Sequence, residues 1–190
     1  SYLLKKSYIR GFPFYVDERV IIPRSYLGEL LLAEEAGPDD FAPFSNPAGV
    51  AKVLDLCTGS GCLAVIAASV YPNAEVHAVD LSPDALDVAR INVEASKLQD
   101  RITLFSGDLF QPLGGERYDL IITNPPFGGV EEPGTENNFP QDVRTKETAD
   151  LFLVLIKHLL KPGGRGALVL PDGTLFGEGV KSRIKEQLLT

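Results

Sequence analysis

The chain has 190 residues and a formal net charge of −8 at pH 7, a length that suits one domain with a single well-buried core. With 44% hydrophobic and 23% charged residues it is not a disordered chain. No apolar run approaches the ~20 residues of a membrane span, and the first residues lack the basic-then-apolar order of a secretory leader. The acidity argues against a broad grip on a nucleic-acid backbone, unless a partner supplies positive charge.

In chain order, Phe12 to Pro23 alternates around Asp17-Glu18-Arg19 and predicts a β-hairpin with a polar turn. Ser25 to Ala36 predicts a helix stopped by Gly37-Pro38, and residues 37–50, rich in Pro, Asp, Ser and Asn, predict a loop rather than a linker. Val53 to Cys57 predicts an apolar strand, followed by a Gly-rich turn and an apolar helix from Cys62 to Tyr71. A second strand is expected over Glu75–Val79, ending at Asp80. The next helix has Ser82 as N-cap, Pro83 at its first position, and Leu86, Ala89 and Val93 on its buried face. Strands over Ile102–Phe105 and Tyr118–Thr123 follow. A Gly-, Pro- and Asn-rich loop over 128–146 is long enough to suggest function. A helix from Glu147 to Leu160 should end at Lys161-Pro162-Gly163-Gly164, with a fifth strand over Gly166–Leu170 and a last helix marked by Val180, Ile184 and Leu188.

This alternation implies right-handed crossovers and a parallel sheet covered on both faces. The expected fold is α/β: a Rossmann-like, doubly wound, mostly parallel sheet with an N-terminal β-hairpin. Residues 1–50 would carry the hairpin and first helix, and 51–190 the core, in one domain. Ligands on such sheets sit at the carboxyl ends of the strands, and the motifs fall there.

Asp55-Leu56-Cys57-Thr58-Gly59-Ser60-Gly61 is a strand-to-helix turn. Its glycines would let the backbone approach a ligand and aim N–H groups at an anionic group. Because Gly59-Ser60-Gly61-Cys62-Leu63-Ala64 also fits the dinucleotide pattern, this turn alone leaves three readings open: NAD, S-adenosylmethionine, or no ligand. Asp80, 19 positions past Gly61 and followed by Leu81, is placed to accept from a ribose diol, which both cofactors have. Asp108, followed by Leu109, is placed to accept from an adenine amino group, or is a solvated turn residue. Cys57 and Cys62 cannot form a disulfide framework and fit a reducing, cytoplasmic setting. They, His77 and His158 are expected to be packed side chains, and no metal is expected.

Asn124-Pro125-Pro126-Phe127, at the end of the fourth predicted strand, separates the readings. An NH2 conjugated to a carbonyl or aromatic ring is a poor nucleophile because its lone pair is delocalised. The Asn124 side-chain oxygen and the Pro125 carbonyl can take its two hydrogens and free that lone pair for in-line attack on a sulfonium methyl. Pro125 and Pro126 hold both acceptors rigidly, and Phe127 can stack on a flat amide or base. A dehydrogenase has no use for this arrangement.

The stretches FPFYVDERVIIPRS, VLDLCTGSGCLAV, AVDLSPDAL and RYDLIITNPP resemble the glutamine methyltransferases that modify ribosomal protein and, more distantly, release factors. That resemblance implies that Cys57, Thr58, Gly59, Ser60, Gly61, Asp80 and Asn124 bind S-adenosylmethionine. It also implies that the hairpin and Ile22-Pro23-Arg24 border the substrate mouth. From Asn124 onward, NPPFGG, ENNFP and KETADLFLVLIKHLLKPGGRGALVLPDGTLFGEG resemble instead the modification subunit of type I restriction systems, which methylates adenine in DNA. The two resemblances share fold, cofactor and amino methylation, and divide on substrate: a protein glutamine, or DNA through a separate recognition subunit. A silent cofactor-binding module is a further alternative. Both resemblances imply two more strands after the final helix. Without them the fifth strand would become a sheet edge, an opening for homodimerisation.

Overall fold

The computed structural model describes residues 2–23, 26–33, 47–109, 111–125, 147–170, 182 and 186. The expected loop over 128–146, the last helix apart from the helical residues 182 and 186, and the far end of the first helix lie outside the described residues.

The chain opens with strands β1 (Lys6–Ile9) and β2 (Phe12–Tyr15), paired antiparallel with Ile9 opposite Phe12. The hairpin therefore exists, but upstream of its expected place. Its two turn residues, Arg10 and Gly11, have φ of 43° and 89°, the left-handed pair of a two-residue hairpin turn. Asp17-Glu18-Arg19 makes a different object. The Asp17 carboxylate accepts from the Arg19 backbone N–H at 3.1 Å, the Arg19 guanidinium at 2.6 Å and the Tyr15 hydroxyl at 3.0 Å. This knot turns Val16 and Val20 inward together and leaves Ile21 88% exposed. A short helix, α1 (Tyr26–Leu31), follows.

The core sheet consists of β3 (Lys52–Leu56), β4 (Glu75–Asp80), β5 (Ile102–Ser106), β6 (Tyr118–Thr123) and β7 (Leu160–Leu168). All are parallel, in the order β5-β4-β3-β6-β7. Between them run α2 (Cys62–Val70), α3 (Pro83–Ala95) and α4 (Thr148–Leu159). Chain direction across the sheet reverses between β3 and β6, the switch point of a doubly wound fold.

Side-chain alternation builds two cores. Val53, Val76, Ala78, Leu120 and Ile122 face α2, while Leu54, Leu56, Val79 and Ile121 face α4. α2 is apolar all round and buried from Cys62 to Ala68, as expected of a helix enclosed by sheet, α1 and α3. α3 has the expected cap: Ser82 Oγ accepts from the Ala85 N–H, and Pro83 leads the first turn. Its Ala85 and Val88 meet Val16 and Val20 of the N-terminal segment.

β7 begins earlier than expected. Leu160 pairs with Tyr118 and Arg165 with Leu120, so five positions of β7 answer to two of β6. Lys161 to Gly164, expected to be a turn before the strand, is absorbed as a bulge inside it. Among the described residues β7 is one edge of the sheet and β5 the other.

His77 is packed as expected, 6% exposed, its ring nitrogens 2.8 Å from the Tyr118 hydroxyl and 3.0 Å from Glu75 Oε1. Cys62 is buried and Cys57 half-buried. His158 is not packed. It lies exposed on the last turn of α4, where a basic side chain suits the negative end of the helix dipole. Among the described residues, no helix is long and apolar enough to cross a membrane.

Candidate active site

Strand register assembles the site. Leu56 lies opposite both Val79 and Thr123, so Cys57, Asp80 and Asn124, each one residue further on, share one rim. Asp80 is level with Ser106, which brings Gly107 and Asp108 to the same edge. Three bonds fix the rim: the Thr58 N–H donates to Val79 O at 3.0 Å, the Gly107 N–H to Asp80 O at 3.2 Å, and the Thr123 hydroxyl to Leu56 O at 2.8 Å.

Within the turn the two glycines do different work. Gly59 and Gly61 have φ of 55° and 75°, both left-handed. A Cβ on Gly61 would stand 3.0 Å from the Ala89 Cβ, whereas one on Gly59 would meet nothing within 4 Å. Gly61 lets α2 close on α3, and Gly59 keeps space open above the rim.

Asp55 lies beneath the turn and supports it. It has no solvent exposure, and its Oδ2 accepts from the Thr58 hydroxyl at 2.5 Å and the Ala64 N–H at 3.0 Å. Gly61 offers α2 no side-chain cap, so Asp55 supplies the missing acceptor from the strand below. Its Oδ1 has no hydrogen-bond partner among the described residues. Burial pushes its carboxyl up to about 7, with the Asp80 charge adding to the rise and the bonds from Thr58 and Ala64 opposing it. Thr58 and Ser60, 6% and 3% exposed, likewise offer a ligand their backbone more than their side chains.

The half-buried Asp80 stands across the turn, its Oδ2 accepting from the Gly59 N–H at 2.8 Å and its Oδ1 from the Ser82 N–H at 2.9 Å. Each carboxylate oxygen retains accepting capacity for a hydroxyl. Leu81 beside it is 70% exposed, an apolar surface at the mouth that a flat ring would cover. Asp108 is exposed, and Leu109 is half-buried with a left-handed φ of 47°. Burial first, then the charges of Asp80 and Asp55, push the Cys57 thiol up to about 12. Burial does the same to Cys62. Neither is a thiolate nucleophile near neutral pH.

Asn124 is exposed at the end of β6 and Pro125 is buried behind it. The backbone there is anchored by the Thr123 bond to Leu56, so the Asn124 side chain projects from a fixed point. Pro126, Phe127 and Arg24 lie outside the described residues. The sequence reading missed Asn92, a buried α3 residue whose amide reaches Ser60 O at 2.8 Å. A mid-helix asparagine beside an apolar stripe was its only signal.

A five-stranded parallel sheet with a glycine turn and a strand-end carboxylate at its switch point defines a Rossmann-like cofactor-binding core of the methyltransferase type. The methyltransferase small domain model matches residues 44–170, and the chain belongs to that family. Its ribosomal protein uL3 glutamine methyltransferase relatives include one from Bradyrhizobium diazoefficiens, 58% identical over 132 residues, covering 69% of this chain and 41% of the relative. Another, from Bordetella pertussis, is 46% identical over 184 residues, covering 91% of this chain and 59% of the relative. The chain thus spans about two to three fifths of the length of these relatives. Among solved structures, a modification subunit of a putative type I restriction enzyme from Vibrio vulnificus matches with a TM-score of 0.62 and 33% identity, covering 75% of this chain and 34% of that one. Both resemblances seen in the sequence are therefore found. Family membership implies S-adenosylmethionine as methyl donor.

Proposed function

We propose that this chain carries the methyl-transfer site of an N-methyltransferase acting on a planar NH2 group, with a glutamine side chain of a ribosomal protein as first choice and a release factor as a related substrate. The observation that carries the reading is the single rim bearing Gly59, Asp80 and Asn124. The relatives that modify uL3 support the substrate.

S-adenosylmethionine would supply an electrophilic methyl group on a sulfonium. The Gly59–Gly61 turn and the amino end of α2 would set a positive dipole end against its carboxylate, with the Gly59 N–H held by Asp80 and the Gly61 N–H by Thr58 O. Asp80 would accept from the ribose hydroxyls and Asp108 from the adenine amino group, with Leu81 and Leu109 bordering the ring. The Asn124 side-chain oxygen and the Pro125 carbonyl accept the two N–H bonds of the substrate, directing the nitrogen lone pair outward. With the donor bound, that nitrogen would take the methyl group from the sulfonium, leaving the bonding pair on sulfur, and would release one proton to water.

The second reading, adenine in DNA, draws on the likeness to the restriction modification subunit. It needs a flipped base and a recognition subunit that offsets the −8 charge. A homodimer contact would form at the edge of β7, and a reducing cytoplasm suits the buried thiols. Labelled methyl donor incubated side by side with ribosomal protein uL3 and unmodified DNA decides among these. Label should enter the protein. Label in DNA alone would reverse the order of substrates, and label in neither would favour a silent binding module.

A further inference from the structure

Asn92 sits inside α3, where asparagine is a poor helix former and a buried amide is costly unless its bonds are made. It is 2% exposed, and its side-chain bonds to Tyr15 and Ser60 leave its own helix. The Tyr15 N–H donates to its Oδ1 at 2.7 Å, and its Nδ2 donates to Tyr15 O at 3.0 Å and to Ser60 O at 2.8 Å. The pair with Tyr15 imitates a strand–strand bond pair at the end of β2. The third bond grips the turn one residue before Gly61. One side chain thus joins the glycine turn to the N-terminal segment.

That segment is bonded into one unit. Tyr15, Arg19 and Val20 are tied through Asp17: its carboxylate holds the Tyr15 hydroxyl and both the backbone and the guanidinium of Arg19, and its carbonyl accepts from the Val20 N–H at 3.2 Å. Val16 and Val20 already pack on Ala85 and Val88. Apolar contact would seat the segment without help, so a three-bond amide costs more than seating requires and serves orientation.

We infer that Asn92 is a positioning residue that couples ligand binding at the Gly59–Gly61 turn to the order of residues Tyr15–Val20. The inference rests on the cofactor reading above. A ligand seated on the turn restrains the Ser60–Gly61 peptide. Its carbonyl then holds the Asn92 amide, and the amide holds the Tyr15 backbone. The coupling is reciprocal: loosening the segment weakens cofactor binding by the same factor.

Amide hydrogen exchange with and without saturating S-adenosylhomocysteine, paired with calorimetry on the same samples, tests it. In the unaltered protein the ligand should slow exchange at Tyr15, Arg19 and Val20 by about fivefold or more. In Asn92→Ala the ligand should still bind within about tenfold, and that added protection should vanish. Asn92→Asp keeps the acceptor for the Tyr15 N–H and removes the donor to both Ser60 O and Tyr15 O, and serves if the alanine variant does not fold. A merely structural Asn92 would lower melting temperature yet leave the ligand-linked gain intact, which would overturn the inference. So would ligand that binds the unaltered protein without slowing those amides. Absence of calorimetric binding to the unaltered protein would instead sink the cofactor reading itself.

Discussion

The two ends of the central sheet treat charge in opposite ways. At the amino end, charged side chains answer one another. Lys52 bonds Glu116 at 2.5 Å, and Lys161 reaches both oxygens of Asp119 at 2.9 Å. The Asp119 carboxylate also takes the N–H groups of Ala51 and Lys52 at 3.0 and 2.8 Å. Burial alone would raise its pKa, but Lys161 and those N–H groups outweigh it and hold the carboxyl below its usual value. At the carboxyl end, Asp55 and Asp80 bond no cationic side chain among the described residues. They accept from backbone N–H groups and a hydroxyl, and Asp108 and Asn124 face solvent. Charge at the first end holds strands together, while at the second it is held by backbone N–H groups and a hydroxyl.

The largest expected effect concerns Asp55. Its folded-state carboxyl titrates near 7, against 3.8 for the free group. Between those values the folded state binds more protons than the unfolded one, so stability falls as pH rises from about 4 to about 7. The total is on the order of 4 kcal/mol. Denaturant midpoints for the unaltered protein and Asp55→Asn across that range should diverge, with the flatter profile in the variant. Parallel profiles would mean that the buried carboxylate carries no such load.

Next is Asn124. Asn124→Ala should lower methyl transfer by about 100-fold or more while cofactor affinity stays within about tenfold. Single-turnover rates beside calorimetry separate the two. Retention of more than about a tenth of normal turnover would contradict the assigned role. Asp80→Ala should do the reverse, weakening S-adenosylhomocysteine by roughly 1–3 kcal/mol through a lost ribose bond pair. Part of that loss would come from the turn, because Gly59 and Ser82 lose their acceptor as well. Unchanged affinity would remove Asp80 from the site.

Much of this division was legible in the sequence. Parallel strands enclosed on both faces read as near-continuous apolar runs, so Val53–Leu56 and Tyr118–Thr123 were plain, and the rim followed from their ends. The hairpin was misplaced because Asp17-Glu18-Arg19 has a turn's composition. Its actual geometry depends on a guanidinium folding back on a carboxylate two residues away, which composition does not reveal. β7 was shortened because Pro162-Gly163-Gly164 looks like a stop, whereas pairing with β6 absorbs it as a bulge. Asn92 was invisible for a different reason. Its partners lie 77 and 32 residues away, and no local pattern marks a bond of that range.

The smallest expected effect is the control on the whole comparison. Lys161→Ala removes the ammonium facing Asp119 at the amino end. Lys161 is more than one-third exposed, so screening by water leaves such a pair about 1 kcal/mol or less. The two backbone N–H groups from Ala51 and Lys52 continue to hold the Asp119 carboxylate. The variant should therefore lose a little thermal stability, more visibly at low salt than at high, and bind S-adenosylhomocysteine with unchanged affinity. A change in ligand affinity beyond about threefold would show that the two ends of the sheet communicate, and would break the separation of labour drawn between them.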